Sequence, residues 1–128
     1  MQQGCPLSPL MFLLVMEGPS RLIASTKRDG SLKGLRMNKL YHLTHLLFIV
    51  DVMIFLDGNI RDSSSFHDIL ILFEKSTGMA SNQAKSTITL SHTTPQEDGA
   101  SLHFFHYHLH NLSDGLKYLL FQIKPHNY

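Results

Sequence analysis

The sequence predicts an α+β fold in which two helices, one apolar on all sides and one amphipathic, pack on a small antiparallel sheet. Three observations predict it: a proline-led run of seven apolar residues at 10–16, two β-branched and aromatic runs meeting around Asp51, and an apolar stripe at helical spacing between Phe66 and Phe73. Hydrophobic residues make up 43% of the 128-residue chain and charged ones 16%, so core-forming material is present and little of the chain reads as linker.

Taking the elements in order, Ser8 followed by Pro9 reads as an N-cap with proline in the first turn, where its missing N–H costs nothing. Residues 10–16 (LMFLLVM) would be apolar all round, a pattern that requires burial by neighbouring elements; left uncovered, they form an aggregation-prone patch. Gly18-Pro19 predicts a kink or an end near Glu17, because an interior proline costs about 3 kcal/mol. Residues 20–24 would resume the helix before Lys27-Arg28-Asp29-Gly30 turns the chain. Residues 46–50 and 52–56 then predict a buried hairpin with Asp51 at or near its turn, ended by Asp57-Gly58-Asn59. Ser64 or Ser65 is the expected cap of a helix whose apolar positions Phe66, Ile69, Leu70 and Phe73 follow the amphipathic stripe, with Gly78 as its left-handed stop. Residues 91–101, polar with Pro95 and Gly99, read as a loop, and residues 103–110 and 117–123 as extended.

Eleven Lys and Arg against ten Asp and Glu give a net charge of +1, which provides no global basic field for nucleic-acid binding; any such contact must be local. Cys5 is the single cysteine, so neither an intramolecular disulfide nor a thiolate metal cluster can form, and a reducing intracellular setting is expected. The apolar run at 10–16 is far short of the ~20 residues that cross a bilayer, so no membrane partner is expected. Nor is secretion, since no Lys or Arg precedes that run as it would in a signal peptide.

The string QGCPLSPLMFLLVMEG, and above all the seven residues Gln3-Gly4-Cys5-Pro6-Leu7-Ser8-Pro9, resembles motif B of reverse transcriptases of non-long-terminal-repeat, LINE-type retrotransposons, in particular the plant-like ones. The resemblance implies a partial polymerase palm: motif B at about 1–26, motif C at about 44–57, motif D at about 64–90 and motif E at about 115–125. Fingers, motif A and thumb are expected to be missing. Gln3, Gly4, Pro6 and Ser8 would lie in the substrate-binding segment beside the incoming nucleotide, where glycine permits close backbone approach. HLLFIVDVMIF resembles motif C, whose two adjacent aspartates are here Val50 and Asp51. In the family, carboxylates of motifs A and C hold two magnesium ions roughly 3.5–4 Å apart, so Asp51 alone implies an incomplete metal site and a chain that binds no magnesium and does not polymerise. FHDILILFEKSTGMASNQAKSTI resembles motif D, with Asn82 and Lys85 at the family's Asn and Lys; the lysine there acts as general acid on the leaving pyrophosphate. GLKYLLFQIKPHNY resembles the primer-gripping hairpin, with Lys117, Tyr118 and Leu119 in place and Leu120 where the family has glycine. RNA template and DNA primer are the implied partners, held weakly or not at all.

Two other readings stand beside this one. Lys117, Lys124 and Arg21 could retain an RNA and DNA duplex without catalysis, against which the near-neutral charge argues. In HFFHYHLH, strand alternation would put His106, His108 and His110 on one face, the ligand set of a three-histidine zinc site, although same-face neighbours about 7 Å apart converge poorly on one ion. A thiol enzyme based on Cys5 is discarded for want of a His and Asn arrangement.

Overall fold

The computed structural model describes residues 7–48, 51–90, 103–112, 115–118 and 121–123. Its first helix, α1 (Ser8–Arg28), continues through Gly18-Pro19, so of the kink or end expected near Glu17 the end does not occur. Met16, Pro19 and Ile23 are its buried residues and share one face, so the proline ring packs inward, and packing compensates for the bond that Pro19 cannot donate to the Val15 carbonyl. The N-cap is Leu7, without a side-chain cap bond, and Ser8 is the first helical residue; proline still falls in the first turn. The expected burial of residues 10–16 is also corrected. Leu10, Met11, Leu13 and Leu14 are exposed, Leu14 by 67%, because the core of the described residues forms on the other half of α1, from Leu22 and Ile23 against Leu32 and Ile69. Lys27 and Arg28 close the helix, where cations complement the C-terminal dipole.

Two hairpins follow. Strands β1 (Leu35–Arg36) and β2 (His42–Leu43), which the sequence patterns did not predict, pair antiparallel. Their approach depends on Gly34, at φ +76°, where an added Cβ would sit 2.5 Å from the Leu43 carbonyl oxygen. Strands β3 (His45–Phe48) and β4 (Asp51–Ile54) form a second hairpin at the expected place, with Phe48 opposite Asp51. It is not the buried one expected: among the described residues the pair has no further strand beside it, Leu46, Phe48 and Val52 are exposed, and β4 ends before Phe55 and Leu56.

The second helix, α2 (Ile60–Thr77), begins before the predicted serines. Its cap is Asn59, whose side chain accepts the Asp62 N–H at 2.8 Å, while Ser64 and Ser65 lie inside the helix and Ser65 donates to the Ser31 carbonyl at 3.0 Å. Gly78 ends the helix at φ 67°, as the pattern required, and Ile69 is buried with Phe66 beside the core. Asp62, in the first turn, is only 1% exposed. Its carboxylate accepts from the backbone N–H of Lys33 (3.1 Å to each oxygen), Gly34 (3.0 Å) and Asp57 (3.2 Å). One buried acid therefore joins the loop after α1, the end of the β3–β4 hairpin and the start of α2. Its negative charge also faces the positive end of the α2 dipole.

Beyond α2 a 3-10 turn (Gln83–Lys85) leads into β5 (Thr87–Leu90), which pairs in parallel with β6 (His108–Asn111); β7 (Leu116–Tyr118) and β8 (Phe121–Ile123) form a last antiparallel pair. The class is thus α+β, but the single small antiparallel sheet is replaced by four separate two-stranded pairs, one of them parallel. Of residues 103–110, only those from His108 onward are strand. The reason lies in Phe105, 7% exposed, which leaves strand alternation to pack its ring 5.8 Å from Phe66 and from His67 and 5.7 Å from Tyr107. The expected loop at 91–101 lies outside the described residues. Among the described residues no helix is long and apolar enough to cross a membrane.

His45, at the start of β3, has its imidazole Nδ1 3.1 Å from the buried Thr44 hydroxyl. Burial, and secondarily the Lys27 ammonium, push its pKa below the usual 6.5. The folded state thus resists a proton that the unfolded chain accepts. The contribution is complete above pH 6.5 and is lost as the pH falls from there through the lowered folded value. Urea midpoints measured at pH 7.5 and 5.0 should therefore differ more for the native chain than for His45→Gln. An equal difference in the two proteins would show that His45 carries none of the pH dependence.

Candidate functional site

The β3–β4 hairpin presents Asp51 at the first position of the returning strand, next to the turn and exposed to solvent. Val50 lies outside the described residues. Lys85 lies at the end of the 3-10 turn, exposed, with its backbone N–H bonded to the Asn82 carbonyl at 3.0 Å and to the Asn82 side chain at 3.3 Å. Ser86 Oγ donates to the same carbonyl at 2.8 Å, so Asn82 organises the turn that carries Lys85. These interactions give Asn82 a local structural role beside the substrate-binding role that the resemblance implies for it.

Lys117 and Tyr118 lie in β7, opposite Gln122 and Phe121 of β8; Leu119 is outside the described residues. So are Gln3, Gly4, Pro6 and Lys124, while Ser8 is half-buried at the start of α1. Among the described residues, no hydrogen bond or ion pair joins Asp51 to Asn82 or Lys85. Arg21, one of the three cations considered for a duplex, is engaged by Glu17 at 2.7 Å, an exposed helical pair of small energetic weight.

A magnesium pair does not fit this arrangement. Hard cations need several oxygen ligands converging on one point, and Asp51 brings one solvated carboxylate. No three His, Cys, Asp or Glu side chains among the described residues gather as metal ligands would. The histidine reading meets the same test: His106 lies outside β6, and the His110 ring is placed by its Nε2, 3.1 Å from the Gly115 carbonyl. No protein-family model matches the sequence.

The residue that sequence reasoning missed is Asp62. Its signal was available in the spacing Asn59-x-x-Asp62 directly after Gly58, a capped first turn, but the three serines that follow supplied a competing start.

Proposed function

We propose that the chain is a segment of a retrotransposon reverse-transcriptase palm that has no polymerase activity of its own. The observation that carries this reading is the β3–β4 hairpin, which sets Phe48 opposite Asp51 across a two-residue connection, the arrangement of the resembled motif C. Its setting supports the reading: a long helix before it, and after it a helix stopped by Gly78, an Asn82-capped turn bearing Lys85, and a closing hairpin with Lys117 and Tyr118. Phosphoryl transfer through two metals needs at least a second convergent carboxylate to offset charge on the attacking and leaving oxygens. Val50 stands where the first of the paired aspartates belongs.

The purified chain, given a primed RNA template, deoxynucleotides and either magnesium or manganese, should extend no primer. Template-dependent incorporation that persists in Asp51→Asn would overturn both parts of the reading. Incorporation that is abolished by Asp51→Asn would overturn the inactivity and keep the ancestry.

A further inference from the structure

The net charge of +1 conceals a separation of charge along the chain. Five of the eleven Lys and Arg, but one of the ten acids, lie in residues 27–42. The five cations, Lys27, Arg28, Lys33, Arg36 and Lys39, are all exposed. The single acid, Asp29, already accepts the Ser31 N–H at 3.0 Å.

The fold assembles these cations on one feature. The Lys27 ammonium donates to the His42 carbonyl, tying the end of α1 to β2, and Arg36 lies directly across from His42 in the β1–β2 register. The tip of this hairpin is held in shape by Asn38, whose side chain accepts the N–H groups of Leu40 and Tyr41 at 2.8 Å each, and by the Met37 N–H bonded to the Tyr41 carbonyl at 3.0 Å. A constrained tip with Tyr41 68% and Leu40 82% exposed is costly to keep in water, and Lys39 stands beside them.

We propose that the β1–β2 hairpin with the end of α1 is a binding surface for single-stranded nucleic acid, in which Lys33, Arg36 and Lys39 contact phosphates and Tyr41 stacks on a base. This goes beyond the palm reading, since it rests on charge and exposure and on none of the resembled motifs. A single strand meets both properties of the surface at once, with repeated phosphates for several exposed cations and flat apolar base faces for the tyrosine. An anionic bilayer is the poorer match, because Lys39 occupies the tip between Met37 and Leu40, and insertion would carry its charge toward hydrocarbon.

The test is fluorescence anisotropy of labelled oligo(dT) and oligo(U), about 20 nucleotides long, titrated with the full chain at several salt concentrations. With three to five phosphates contacted, the log–log salt slope should lie at about −2 to −3.5. The combined Lys33→Glu, Arg36→Glu, Lys39→Glu variant should lose affinity by about a hundred-fold or more. Tyr41→Ala should lose about ten-fold. Arg61→Glu with Lys75→Glu, an equal kind of charge change on α2, should bind as the native chain does. Photocrosslinking of a 5-bromouracil oligonucleotide to the native chain, mapped by mass spectrometry, should mark Tyr41 or its neighbours and does not depend on any variant folding. Unchanged binding by the triple variant, a flat salt slope, or a crosslink confined elsewhere would overturn the proposal. So would retention of the chain on phosphatidylserine vesicles with no retention by either oligonucleotide.

Discussion

Asp62→Ala should lower the free energy of unfolding by about 4 kcal/mol, a large share of the roughly 5–15 kcal/mol that a domain of this size has. The alanine removes the acceptor of three backbone N–H groups, those of Lys33, Gly34 and Asp57, and each donor left buried without a partner costs about 1–3 kcal/mol. Water can reach part of this site through the exposed Lys33, which holds the total below the simple sum. Asp62→Asn should fall in between, at about 1–2 kcal/mol, because an amide oxygen can take the position that serves Gly34 and Asp57 while its NH2 faces the Lys33 donor. Urea unfolding followed by circular dichroism at 222 nm reads all three proteins. A loss below about 1 kcal/mol for alanine would mean that the carboxylate is not what joins the two helices to the hairpins.

Phe105→Ala should cost about 3 kcal/mol, in the range of buried aromatic truncations. Phe105 is the buried one of two aromatic contacts by which residues 103–112 reach α2, the other being Phe104 on His67 at 5.4 Å. The Phe105 ring meets Phe66 and His67 on the helix and Tyr107 on its own segment. Tyr107 adds a hydroxyl bond to Ser81 at 2.9 Å, and Ser81 is in turn held by the Glu74 carboxylate, but these lie at a partly exposed position and replace little of the lost area. Phe105→Leu should cost less than about 1.5 kcal/mol by keeping most of the apolar volume. Limited proteolysis gives a local readout. Cleavage within 103–112 should accelerate in Phe105→Ala while cleavage within α2 changes little; uniform acceleration would show that the aromatic cluster supports the whole molecule.

How much of this was legible follows from the kind of signal each element carries. The β3–β4 hairpin and the body of α2 were readable because β-branched runs and a four-position apolar stripe are local and periodic. The start of α2 was misread because Ser64 and Ser65 are good caps wherever they fall, and only the tertiary use of Asp62 reveals that Asn59 has the position. That α1 does not end at Gly18-Pro19 has a related reason. A proline penalty is an average for a helix in water, and Pro19 is on the buried face, where its ring contributes packing. The β1–β2 hairpin escaped notice because its strands are two residues each, below the length at which alternation is visible. The charge concentrated around it is masked in the net +1 of the whole chain. At the candidate site, motif strings located Asp51, Asn82 and Lys85 but could not say that the Asn82 side chain is spent on the turn beneath Lys85.

The four strand pairs have a consequence for how this molecule meets others of its kind. Eight strands joined in one sheet would leave two open borders, whereas eight strands in four pairs make every described strand a border, with a strand neighbour on one side only. What restrains such borders from templating further chains is their brevity, two to four residues apiece, too short to register a neighbour over more than one or two bonds. Lengthening any of them by regular alternation would convert a tolerated border into a growth point.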